Sequence, residues 1–198
     1  MKNKKTLLIL VLIFVLLLGG ASVLYTRLGR QITPDQLAVQ ETQEQITEEE
    51  TNDAEQQKTL APDFIVFDAE GKEVKLSDYM GKPIVLNFWA SWCGPCQMEM
   101  PDFHEKYLDI GEDIHFLMIN MTDGSRETVE SASGFVAEKG YTFPVLYDTE
   151  SNAAVTYGAY SLPTTYFIDG DGYIVARAVG AIGADTLQQG IDMIRSSG

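Results

Sequence analysis

The sequence predicts an α/β domain built on a parallel strand–helix–strand unit, and three stretches carry that reading. Ile84-Val85-Leu86-Asn87-Phe88-Trp89-Ala90 is nearly continuous in apolar residues, as in a strand covered on both faces. Behind it, Cys96, Met100, Phe103 and Tyr107 recur at the spacing of one helix face. Ile114 to Ile119 is a second buried-strand run, and two such strands joined through a helix pair in parallel by default.

The chain before this unit reads as appendages. Lys2, Lys4 and Lys5 precede a run from Thr6 to Tyr25 without a charged residue. Its 20 residues rise about 30 Å as a helix, enough to cross a hydrocarbon core. A cleaved signal peptide competes, but Gly19-Gly20-Ala21 is a faint cleavage site and more apolar chain follows it. We therefore expect residues 1–5 in the cytoplasm, 6–25 as a transmembrane anchor and the remainder outside the cell membrane. The positive-inside rule gives that orientation, although Arg27 and Arg30 weaken the asymmetry. Residues 26–59 are expected to be a flexible acidic linker. Between Gln31 and Thr59, eight acids face one lysine, too polar a composition to offset the entropy of ordering.

Residues 60–198 read as the globular domain. Phe64–Asp68 and Glu73–Leu76 flank Ala69-Glu70-Gly71-Lys72, a hairpin signal. Ser125 is the expected cap of a helix over Arg126–Lys139, with Val129, Ala132 and Val136 inward and Gly140 as its stop. A strand at Val145–Tyr147 and a short helix near Ser151–Tyr157 follow. Thr164–Ile168 and Tyr173–Val179 form an antiparallel hairpin across Asp169-Gly170-Asp171-Gly172. Leu187, Ile191 and Ile194 stripe a last helix, with Asp185 as its expected N-cap.

Chemistry concentrates in Trp92-Cys93-Gly94-Pro95-Cys96, which holds both cysteines of the chain. A C-x-x-C where a buried strand meets a helix is a redox dithiol signature. The helix N-terminus offers unpaired N–H groups and the positive end of its dipole, so the first thiol is expected to ionise readily. Cys93 then attacks a disulfide and Cys96 resolves the mixed product. A formal charge of −15 argues against nucleic-acid binding. Zinc wants four ligands, and two cysteines with the scattered His104 and His115 do not supply them; no metal or cofactor is expected. Asp169 and Asp171 are sufficiently explained by the turn. A peroxiredoxin would carry Pro-x-x-x-Thr-x-x-Cys, which the residues before Cys93 do not fit.

The order hairpin, strand–helix–strand with Trp-Cys-Gly-Pro-Cys, then strand–strand–helix resembles the thioredoxin fold, a central mixed β-sheet flanked by helices. Phe88 to Cys96 followed by Glu99 and Pro101, with the opening hairpin, a helix-plus-strand insertion and the anchor, is similar to the membrane-anchored TlpA/ResA branch. The resemblance implies a thiol–disulfide oxidoreductase, usually a reductase of partner disulfides on the outer face of the membrane. Clients it implies include apocytochrome c and a methionine sulfoxide reductase, with electrons from a transmembrane carrier of the CcdA/DsbD type. Pro163 matches the cis-proline opposite the dithiol, and with Trp92 and Leu162 it is expected to contact substrate. Pro101 matches a helix kink, and Gly180 a glycine permitting close backbone approach.

Two departures matter. Thioredoxin itself has a titratable aspartate on the strand before the motif, where this chain has Asn87. Glu99 matches the acid that the ResA-like branch carries on the helix, and it is the expected proton relay for Cys96; a solvated helical residue is the bland alternative. Leu162 stands where the branch often has Thr, Val or Ile. Gly94-Pro95 favours a reductase over the two alternatives, a disulfide-forming oxidase and a non-catalytic binding module of the same fold.

Overall fold

The structure is a computed structural model in which residues 59–196 are described. The expected anchor at 6–25 and nearly all of the expected linker lie outside the described residues. Among the described residues, no helix is long and apolar enough to cross a membrane.

Eight strands form one mixed sheet in the order β1-β8-β7-β4-β5-β6-β2-β3. They are β1 Thr59–Leu60, β2 Ile65–Phe67, β3 Glu73–Lys75, β4 Ile84–Trp89, β5 His115–Asn120, β6 Val145–Tyr147, β7 Thr164–Ile168 and β8 Tyr173–Val179. Among the described residues four α-helices accompany them, α1 Gly94–Ile110, α2 Val129–Lys139, α3 Asn152–Tyr157 and α4 Ala184–Ser196, with a single 3-10 turn at Leu76–Tyr79. The expected parallel unit is present: β4 and β5 pair in parallel from Ile84↔His115 to Trp89↔Asn120, with α1 between them in sequence. The opening hairpin pairs Ile65 with Lys75, and β7 pairs antiparallel with both β4 and β8. The short β1 on the β8 edge was not foreseen. Two residues carry too little pattern to be read from sequence.

Alternation along β4 explains where the site lies. Ile84, Leu86 and Phe88 enter one apolar cluster with Phe64, Leu76 and Tyr157. Val85 and Trp89 enter the other, with Met100 and Phe103 of α1 and Leu187, Ile191 and Ile194 of α4. Asn87 shares their parity and so faces the helix that carries the dithiol. Gly190 lets α4 approach the sheet: a Cβ there would lie 2.2 Å from Cε1 of Phe167.

Two caps differ from expectation. Helix α2 begins at Val129 with Thr128 as N-cap, its hydroxyl accepting from Ser131 N–H at 3.0 Å. Ser125 sits earlier, in a turn where Asp123 Oδ1 accepts the N–H groups of Ser125, Arg126 and Glu127. An aspartate satisfying three consecutive donors competes with the helix and delays its start. Likewise α4 already includes Ala184, so Asp185 lies inside its first turn rather than capping it. Gly140 does end α2, at φ 70°.

Candidate active site

Strand β4 ends at Trp89, and four residues later the chain enters α1 at the dithiol. Cys93 is the N-cap of that helix, and its sulfur accepts the Cys96 N–H at 3.2 Å. A thiolate at that position would meet the same donor and the positive end of the helix. The two cysteines form a disulfide with Cα atoms 5.3 Å apart. Cys96 is fully buried and Cys93 is 4% exposed, which orders their reactivity: only the first is open to attack or to attacking a partner. Pro95 opens the helix where its missing N–H costs nothing. Pro101 sits inside α1, and the helix runs on through it to Ile110.

The Leu162–Pro163 bond is cis, as the resemblance implied. Pro163 is buried, Leu162 half-buried and Trp92 41% exposed, so the last two offer side-chain surface to a partner. Gly180 holds this loop through its N–H, which donates to Pro163 O at 2.9 Å. The reason for glycine there is corrected by the structure. A Cβ at Gly180 would touch nothing within 4 Å, whereas its φ of +90° is one that side-chain-bearing residues rarely adopt. Backbone conformation, not close approach, selects it.

Glu99 is not a solvated helical residue: it is 2% exposed. Asn87 Nδ2 donates to its Oε1 at 2.8 Å and Ile182 N–H donates to its Oε2 at 3.0 Å. Burial pushes its carboxyl up to about 7 from an ordinary 4.5, against the lowering effect of those two bonds, while Asp102 adds a further push upward. At neutral pH such a group both takes and gives a proton. Asn87 also donates to Thr165 Oγ1 at 3.0 Å, and its Oδ1 has no partner among the described residues. One amide thus ties the helix acid to β7, two residues past Pro163.

A second buried acid escaped the sequence reading. Glu127, fully buried, accepts from Ser91 N–H at 2.8 Å, Ser91 Oγ at 2.7 Å and Asn120 Nδ2 at 2.7 Å. Gln97 Nε2 closes on Ser91 O at 2.6 Å, so the residues leading into the dithiol are held from the α2 side and from α1. Beside this anchor the Arg126 guanidinium lies over the Trp92 ring, 3.5 Å from its centroid. The run Asp-Gly-Ser-Arg-Glu is polar enough to pass for a solvated loop; the only hint was an acid seven residues beyond Asn120 at a strand end. Asp169 Oδ1, by contrast, accepts the N–H groups of Asp171 and Tyr173, the turn role expected of it. Among the described residues no group of three or more His, Cys, Asp or Glu is placed to hold a metal.

A mixed sheet, a C-x-x-C at a helix N-terminus and a cis-proline loop together define a dithiol protein of the thioredoxin superfamily. The AhpC/TSA family model matches residues 58–177. The chain is 34% identical over 138 residues to the thiol-disulfide oxidoreductase ResA of Geobacillus thermodenitrificans, covering 69% of this chain and 77% of that one. Among solved structures, it is similar to the exposed lipoprotein thioredoxin Etrx1 of Streptococcus pneumoniae, at 36% identity and TM-score 0.56, covering 66% of this chain and 98% of that one. A DsbF homologue from Corynebacterium diphtheriae aligns at 26% identity and TM-score 0.64, covering 81% and 94%. The chain belongs to the AhpC/TSA family and, within it, to the ResA-like thiol–disulfide oxidoreductases. It is an enzyme acting through a cysteine pair on disulfide-bearing client proteins.

Proposed function

We propose that this protein reduces client disulfides outside the cytoplasm while tethered to the cell membrane by residues 6–25. The observation that carries the mechanism is the buried Glu99, poised near neutrality one helical turn beyond Cys96. The Cys93 thiolate attacks one sulfur of a client disulfide docked beside Trp92, Leu162 and Pro163; a Cys93–client bond forms and the other client sulfur leaves as thiolate. Glu99 then takes the proton of Cys96, whose thiolate attacks Cys93 Sγ and releases the second client sulfur. Two electrons pass to the client, and Cys93–Cys96 is left oxidised. A membrane thiol carrier of the CcdA/DsbD type resets it.

The reducing direction rests on Gly94-Pro95 between the cysteines. The compartment rests on the uncharged run at 6–25, and the similar thioredoxin Etrx1 is an exposed lipoprotein. Apocytochrome c and a methionine sulfoxide reductase are the client classes the ResA-like resemblance brings. Equilibration of Cys93/Cys96 against glutathione tests direction, and a strongly oxidising potential would replace reductase by oxidase. Cys96→Ser in cells is expected to hold the client on Cys93 as a mixed disulfide that mass spectrometry identifies. Adducts only with cytoplasmic proteins would refute the outward-facing placement.

A further inference from the structure

We propose that Arg126, laid on the Trp92 ring, is a docking contact that favours clients whose disulfide is flanked by a carboxylate. This rests on the oxidoreductase reading and adds to it a class of preferred substrate.

Three observations place a held cation beside the dithiol. The guanidinium carbon stands 3.5 Å from the centroid of Trp92, the residue that immediately precedes the nucleophile. The backbone of Arg126 is fixed by the Asp123 turn, and its neighbour Glu127 is locked to Ser91, so the stack is built from both sides. No carboxylate lies within the 4.0 Å ion-pair distance of Arg126 among the described residues. Of the two acids close in sequence, Glu127 is taken up by Ser91 and Asn120, while Asp123 feels the Arg126 charge but accepts three backbone N–H groups on Oδ1.

Stacking leaves a guanidinium its in-plane N–H edge, the geometry that meets a carboxylate through two parallel bonds. Held on an aromatic face, the side chain loses little further freedom on binding. The effect is local and runs against the rest of the molecule. With 29 acidic and 14 basic residues, the chain as a whole repels anionic partners, so a single cation beside Cys93 discriminates by position. A client carboxylate close to its disulfide would find Arg126 only when the disulfide itself is seated at Cys93.

The test uses the full-length reduced protein and two peptide disulfides that differ only in having Asp or Asn on both sides of the cysteine. At low salt the Asp peptide is expected to be reduced about threefold faster, the size of an exposed charge pair. The preference should fade in high salt. Arg126→Gln should remove the preference, so that the Asp and Asn peptides are reduced at the same rate, while Arg126→Lys should keep part of it. Equal rates for both peptides in the unaltered protein would overturn the proposal. So would an equal loss on both peptides in Arg126→Gln, which would mark Arg126 as a support for Trp92 alone. Failure to reduce either peptide would instead strike the oxidoreductase reading, and the proposal with it.

Discussion

Glu99 and Glu127 are the same residue type, equally out of reach of water, and both serve the dithiol, yet they are built for opposite tasks. Glu127 is met by three donors across its two oxygens, from Ser91 N–H, Ser91 Oγ and Asn120 Nδ2. Glu99 is met by two, from Asn87 and Ile182. Two bonds do not offset its desolvation, so its proton is held up to about 7. Between the two acids the neighbouring elements differ in how many donors they bring, three to Glu127 and two to Glu99. Glu127 draws its donors from the dithiol loop and β5 and fixes them together; Glu99 is left short, on the helix where a thiol needs to lose a proton.

The largest expected effect comes from breaking the anchor. Glu127→Ala strands three buried or half-buried donors at once, each worth roughly 1–3 kcal/mol when left unpaired, so a stability loss of about 4 kcal/mol is expected in urea unfolding. Glu127→Gln keeps the shape but turns one acceptor into a donor, and should cost less. A Glu127→Ala protein as stable as the parent would remove the distinction between the two acids.

The effect of Glu99→Gln should depend on pH. The native protein holds this proton up to about 7, where an ordinary carboxyl releases it near 4.5. Between pH 4.5 and 7 the unfolded chain therefore releases it first, and stability falls as pH rises. The full loss reaches about 3 kcal/mol above pH 7. The amide variant carries no such proton, so its stability should lose this component of the pH dependence, at the cost of one of the two acceptors that meet Asn87 and Ile182. Resolution of the mixed disulfide should slow in the same variant and lose its dependence on a group titrating near 7, followed by quenching reduced protein with a client disulfide. A variant with the parent's pH profile would take the relay away from Glu99.

How much of this was legible beforehand follows from the range of the interactions. Strand β4, helix α1 and strand β5 announce themselves because burial imposes a period on consecutive residues, and Cys93 and Cys96 because their chemistry needs a fixed local spacing. Pro163 and Glu99 were reached only through resemblance, since nothing near either in the chain says what it faces. Arg126, Glu127 and Thr165 were missed for that same reason carried further: Glu127 meets Ser91 across 36 positions, and Asn87 meets Thr165 across 78. The misplaced caps have a shorter-range cause. Asp123, Ser125 and Thr128 are all good cap residues, and only the tertiary fold decides which of them the helix uses.

Asn87 offers the finest test of the comparison, because it can move Glu99 without touching it chemically. Its amide lends Glu99 one of its two donors and Thr165 the other hydrogen, while its Oδ1 has no partner among the described residues. Asn87→Ala removes two bonds and one unsatisfied acceptor together. These terms offset, and a net loss of only about 1 kcal/mol is expected. The proton balance is not offset. With Asn87 gone, Ile182 alone opposes desolvation, and the Glu99 carboxyl should rise further above its present value near 7. The pH dependence of mixed-disulfide resolution should shift to the alkaline side, with the rate at high pH little changed. Asn87→Gln, whose longer amide still reaches a carboxylate, should restore part of the profile. A shift toward acid, or none, would mean that the Asn87 donor does not hold the Glu99 carboxyl down.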